Sequence, residues 1–224
     1  MQGSAASPLR QRLWLFAAFG CMAASFPLDR WVDGALDVTR QPSLANLGWW
    51  FSKLGEGEIV AGAGILLAAI FFLLHRPGAA AKIFFVATAA LLTGLAGTIL
   101  RVLIGRTRPE LHGPKGVPPG FYGVWHQGHW IIGQAAFSSF PSGHAALAVG
   151  LAVAAWLVHR GWGAVAMVYA LAVVWSRVAL QWHHLSDVVA STVLSILLAS
   201  WITPRLLPSV EFQFGNLHRA WKKN

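Results

Sequence analysis

The sequence predicts an all-α polytopic membrane bundle of six transmembrane helices, with short interfacial helices on the periplasmic side. Three observations carry that expectation. Only 11% of the residues are charged, where soluble domains carry roughly 25%. Hydrophobic residues make up 56% of the chain, and the mean hydropathy is +0.56. Apolar runs recur whose lengths approach the ~20 residues that span a bilayer, where a helix satisfies its own backbone.

The apolar windows fall at 13–28, 58–75, 83–105, 143–159, 162–181 and 185–203. The first follows Arg10 and Arg12. It also reads as a signal peptide, with Ala23-Ala24-Ser25 resembling a cleavage site, and removal would leave five spans. Cys21 lies inside it and, as the only cysteine, forms no internal disulfide. The stretch 31–54 is too polar to span. With Trp49, Trp50 and Phe51 it reads as an interfacial helix pair or loop. Residues 109–141, rich in proline and glycine, form the longest loop.

Charge sets the orientation. Arg76 and Lys82 flank the turn between the second and third windows, and Arg160 sits between the fourth and fifth. Arg205, Arg219, Lys222 and Lys223 follow the sixth. Six spans put all of these on one side with both termini, and that side is cytoplasmic. Asp29, Asp33, Asp37, Glu56, Glu58 and Glu110 mostly fall opposite. The net charge is +9, yet no dense basic cluster with interleaved aromatics stands on a soluble module. This excludes nucleic acid as a partner and points to topology and anionic lipid. One domain is expected over 1–224, with a core at 59–203 and a basic tail at 204–224.

Three polar islands interrupt the apolar pattern, all on the non-cytoplasmic side. The first is RVLIGRTRPE, where Arg101 and Arg108 share a face if the third span continues to Pro109. Their Cα atoms would then lie about 10 Å apart, close enough to converge on one anion. An arginine inside an apolar span is costly and is by default functional. Snorkelling to headgroups suits Arg106 or Arg108 better than Arg101. The second island is SSFPSGHAAL. Pro141, Ser142 and Gly143 put a turn before a helix, whose free amides and positive dipole end favour an anion. His144 adds a proton donor there. The third is SRVALQWHHLSDV, with Ser176, Arg177, His183, His184 and Asp187. If 183–187 is helical, Asp187 sits one turn from His183 and can hold one ring nitrogen while the other faces a substrate. Alternatively, Asp187 simply caps the sixth span. Taken together, the arginines and amides form a receptacle for a doubly charged phosphate. A histidine oriented by a carboxylate and a second acting as acid flank it.

These residues resemble the signature of the type 2 phosphatidic acid phosphatase (PAP2) superfamily, K-x6-R-P, P-S-G-H and S-R-x5-H-x3-D. Here the three motifs read Arg101-x6-Arg108-Pro109, Pro141-Ser142-Gly143-His144 and Ser176-Arg177-x5-His183-x3-Asp187. Arg101 departs from the pattern by replacing a lysine, keeping the charge but adding a planar fork.

The resemblance implies a metal-independent, cofactor-free lipid phosphatase of a bacterial inner membrane, with its site facing the periplasm. His183 would attack phosphorus to give a phosphohistidine, oriented by Asp187. His144 would protonate the leaving oxygen. Arg101, Arg108, Arg177, Ser142 and the Gly143 amide would hold the phosphoryl oxygens. His184 is a rival nucleophile one residue off the family position. The substrate would be undecaprenyl diphosphate, phosphatidylglycerol phosphate, phosphatidate or the lipid A headgroup. A lipid phosphotransferase with the same intermediate, and a noncatalytic lipid-phosphate binder or transporter, are the alternatives.

Overall fold

The computed structural model describes residues 8–222, so Lys223 of the predicted basic tail lies outside the described residues. Eight helices are described: α1 (Pro8–Ser25), α2 (Asp29–Ala35), α3 (Pro42–Leu54), α4 (Gly57–Leu73), α5 (Pro77–Ile104), α6 (Gly143–Val158), α7 (Arg160–Ala179) and α8 (Leu185–Trp221). Between α5 and α6 a small antiparallel hairpin pairs Trp125–His126 with His129–Trp130.

The expectation of six transmembrane helices is overturned. Among the described residues, three helices are long and apolar enough to cross a membrane, namely α5, α7 and α8. The count rises to four if α3 and α4, bent by 56° at their junction, form one broken span. Helix α1 has 18 residues, but Arg10, Gln11 and Arg12 open it, leaving an apolar part well short of the ~20 residues needed. Helix α6 has 16 residues, about 24 Å at the usual rise, against a hydrocarbon core of about 30 Å. Its apolarity has another cause. Ala145, Ala146, Ala148, Ala152 and Ala154 have no exposed surface, because α6 is enclosed by α5, α7 and α8. An apolar window in the sequence records burial, and protein buries side chains as lipid does.

Close approach of α5 to α6 seats the start of α6 against the last turns of α5. A Cβ on Gly150 would fall 1.9 Å from Thr93 Oγ1, and one on Gly143 would fall 2.8 Å from Thr98 Oγ1. Only glycine permits that contact, the small-residue packing common among membrane helices. Hydroxyls seal the same seam. Thr93 Oγ1 bonds the Ala146 carbonyl at 3.0 Å, and Ser195 on α8 donates to it at 2.8 Å.

Helix α8 runs unbroken through Pro204 and Pro208 to Trp221. Its far end packs against the α4–α5 turn, with the rings of His75 and Trp221 stacked at 4.9 Å and Lys82 3.8 Å from Glu211.

Candidate active site

Helix α5 stops at Ile104, not before Pro109, because Gly105 adopts a left-handed conformation (φ +61°) that turns the chain away. A Cβ there would fall 1.7 Å from the Gly123 carbonyl oxygen, so only glycine fits. The expected helical face shared by Arg101 and Arg108 therefore does not exist. Arg101 projects from the last turn of α5, and Arg108 comes from the loop. The two remain neighbours: burial first, and then the charge of Arg101, lower the Arg108 guanidinium to about 10. It stays charged at neutral pH.

Arg108 donates from Nε and Nη2 to the Ser138 carbonyl, both at 3.3 Å. Arg177, near the end of α7, donates from Nη1 to Ser52 Oγ at the end of α3. Both guanidinium groups lie over the Trp182 ring, at 4.8 and 5.5 Å, and His112 stacks on that ring at 3.8 Å. Trp182 is thus an aromatic platform for two of the three arginines.

Helix α6 begins as expected. Ser142 is its N-cap, with Oγ 3.4 Å from the Ala145 amide. The following Gly143 and His144 amides belong to the first turn, where no intrahelical acceptor is in reach. The Ser142 side chain is fully buried, and its observed bond is this cap. A cavity of about 210 Å³ opens beside this turn. Arg101, Gly143 and His144 line its polar part, while Leu91, Leu95 and Leu147 line it one to three turns deeper in the bundle.

His183 is completely buried in the turn between α7 and α8. The expected hydrogen bond from its ring to Asp187 gives way to another. Nδ1 lies 2.7 Å from the Ser139 carbonyl, while Asp187 Oδ2 is 3.6 Å away. Helix α8 starts only at Leu185, so His183 and Asp187 are not one helical turn apart. A carbonyl oxygen can only accept, which places the ring proton on Nδ1 and leaves a lone pair on Nε2. That Nε2 is buried and has no hydrogen-bond partner among the described residues. Arg101 Nε and Arg177 Nε share that condition. Buried polar atoms are nearly always paired, so three such atoms in one site mark a place for a polar ligand.

Asp187 does cap α8. Oδ2 accepts from the His184 amide at 2.8 Å and from Ser139 Oγ at 2.5 Å, and Oδ1 accepts from Arg106 Nη1 at 2.5 Å. His184 is turned to other work, its Nδ1 2.6 Å from Asp33 Oδ2. Ser176 donates back to the Val173 carbonyl on its own helix.

Several contributors escape the sequence reading. Arg106 does not snorkel to headgroups: it is buried and bridges Asp187 and Asp29. Ser139, Ser52, Asp33 and Trp182 carry no motif of their own. One signal was available, since Asp29 and Asp33 are spaced for one face of a short helix.

Among the described residues no group of three or more His, Cys, Asp or Glu side chains could hold a metal ion. Three guanidinium groups, of Arg101, Arg108 and Arg177, supply positive charge around His144.

The family model described as "PAP2 superfamily" matches residues 79–208. A crystal structure of a transmembrane PAP2-type phosphatidylglycerolphosphate phosphatase from Bacillus subtilis is similar, with a TM-score of 0.61 at 22% identity. The alignment covers 86% of this chain and 93% of that one. The crystal structure of LpxE from Aquifex aeolicus is similar with a TM-score of 0.52 at 20% identity, covering 78% of this chain and 93% of that one. Both are likenesses of fold. No curated protein matches the chain.

Proposed function

Because this chain belongs to the PAP2 superfamily, we propose that it hydrolyses a phosphate from a membrane lipid through a phosphohistidine on His183. The observation that carries the reading is the bare Nε2 of a fully buried histidine whose Nδ1 is committed to the Ser139 carbonyl. The reaction would run in two displacements. The Nε2 lone pair attacks phosphorus. Burial lowers the His144 pKa to about 3 before substrate binds, so His144 takes up its proton together with the phosphate anion. The bond to the leaving oxygen breaks as His144 gives that oxygen the proton. His144 then takes a proton from water, which attacks the phosphohistidine. The P–N bond breaks, its electron pair returns to Nε2, and inorganic phosphate leaves. Asp187 stabilises the charge that the ring gains. Arg101, Arg108, Arg177 and the Gly143 amide bind the phosphoryl oxygens, and Ser142 fixes the helix start that presents that amide.

The lipid is an isoprenyl diphosphate, phosphatidylglycerol phosphate, phosphatidate or a lipid A headgroup, its apolar chain passing the leucines that line the cavity beside Arg101. The site faces the periplasm of a bacterial inner membrane. In support, Arg76 precedes the spanning helix α5 and the site lies at that helix's other end.

The test is phosphate release by the purified protein from a panel of these lipids in EDTA. Release should continue in the chelator and be inhibited by vanadate, which resembles pentacoordinate phosphorus. Activity lost in EDTA and restored by Mg²⁺ would refute metal independence. Transfer that requires a second lipid as acceptor would identify a phosphotransferase, and no release from any lipid would identify a binder.

A pH dependence follows from His183. Burial, its largest influence, lowers its pKa to about 4, against the support of Asp187. A nucleophilic histidine must be neutral. With the folded-state value lowered, the neutral form is complete at pH 7 and is lost only as pH falls through about 4. Hydrolysis of p-nitrophenyl phosphate, allowing for the substrate's own titration, should therefore keep its rate below pH 6. A limb near the ordinary histidine value of about 6.5 would contradict the assignment.

A further inference from the structure

Arg106 is a buried cation with two carboxylates. Its Nη2 is 2.7 Å from Asp29 Oδ2 and its Nη1 2.5 Å from Asp187 Oδ1. Phe26 and Phe121 enclose the guanidinium at 5.0 Å, and Phe140 lies at 5.9 Å. Asp29, at the start of α2, also accepts from the Ser186 amide at 2.8 Å and from Ser186 Oγ at 2.7 Å. The same carboxylate therefore ties the α1–α2 elbow to the turn of α8 that bears Asp187. Asp29 lies outside residues 79–208, the segment that the family model matches.

Charge counting gives this chain of contacts a meaning. Asp187 and Arg106 alone would form a neutral pair. Asp29 cancels the arginine, so the three groups together carry one net negative charge. Asp187 Oδ2 lies 3.6 Å from His183 Nδ1, on the side where the ring keeps its proton. When Nε2 is phosphorylated the imidazole retains that proton and becomes cationic, and a net negative neighbour is what it needs.

We propose that Asp29 and Arg106 are positioning residues for the phosphohistidine step, a compensated ion pair that holds Asp187 in place and leaves its negative charge available to His183. The inference rests on the reading of His183 as nucleophile. The charged and titratable groups facing His183 are Asp187 on α8, Arg177 on α7, Arg108 in the loop after α5, and His144 on α6. Asp29 and Arg106 act on it through the first of these, which His184, paired with Asp33, also faces.

The readout is the acid limb of p-nitrophenyl phosphate hydrolysis, measured with the full-length protein in membranes. Asp29→Asn keeps the shape but leaves Asp187 and Arg106 neutral as a pair. Its limb should move to lower pH, and phosphoenzyme should form several-fold more slowly. Arg106→Gln leaves two carboxylates, and its limb should move up, by about one unit if the effect is that of a near neighbouring charge. The double variant restores the net charge, so its limb should return to the wild-type position, with much of the rate lost in Asp29→Asn recovered. Arg106→Lys, which keeps the charge, should leave the limb in place.

A merely structural pair predicts otherwise. Rates would fall with every limb unmoved, and the double variant would be worse than either single one; that result overturns the inference. If Arg106→Gln fails to accumulate, the limb of Asp29→Asn decides alone. Movement down supports the inference, and no movement overturns it. Retained hydrolysis in His183→Ala would sink the underlying reading instead, so the two failures are distinguishable.

Discussion

Replacing His183 with alanine is expected to stop turnover of lipid and of p-nitrophenyl phosphate alike, by roughly 10⁴-fold or more, as deleting a covalent nucleophile does elsewhere. Any acid-labile phosphoenzyme should disappear with it. Both losses follow from one atom, because Nε2 is the only ring nitrogen free to attack. The substitution also leaves the Ser139 carbonyl without its donor, which costs about 1–3 kcal/mol of stability. Melting temperature measured alongside activity separates the two effects. His184→Ala is the contrasting variant. Its ring is engaged with Asp33, so it should lower stability while leaving most of the turnover. Equal loss of activity in both variants would remove the distinction between them.

The second large effect belongs to His144 and depends on the substrate. An alkoxide leaves poorly without a proton, whereas p-nitrophenolate scarcely needs one. General acid help of roughly 10²–10⁴-fold should therefore be lost on a lipid monoester and largely spared on p-nitrophenyl phosphate. Initial rates of His144→Ala on the two substrates check this. The position suits the role, since His144 sits in the first turn of α6 on the cavity that Arg101 also lines. If both substrates suffer equally, His144 binds the anion and is not the acid.

The residues that meet at the candidate site were easier to single out in the sequence than the helix ends around them, for physical reasons. Arginine and histidine beside apolar runs are costly, so their presence is informative wherever the chain folds. Arg101, Arg108, His144, Arg177 and His183 could be singled out without knowing the helix ends. Helix ends depend on single residues. Gly105 turned α5 off four residues before Pro109, and no hydrophobic pattern distinguishes that glycine from those inside the same helix, such as Gly94 and Gly97.

The number of spans failed for a related reason. The alanines of α6 face neighbouring helices, and hydropathy reads such a helix as it would read one in lipid. The supporting layer was the least legible. Asp29 and Arg106 lie 77 residues apart in the chain, and nothing local announces that they meet. Asp187 was ambiguous in sequence between helix cap and partner of the nucleophile. It caps α8 through the His184 amide while lying 3.6 Å from the His183 ring.

The central claim is a covalent bond between phosphorus and His183, and rapid quenching of the wild-type protein with ³²P-labelled substrate tests it most directly. The account predicts label on the protein that is labile in acid, stable in alkali and located by peptide mapping at His183. It should form as fast as the first turnover and be discharged by water. Turnover with no protein-bound label at any quench time, or label that survives acid or maps to a residue other than His183, would contradict it.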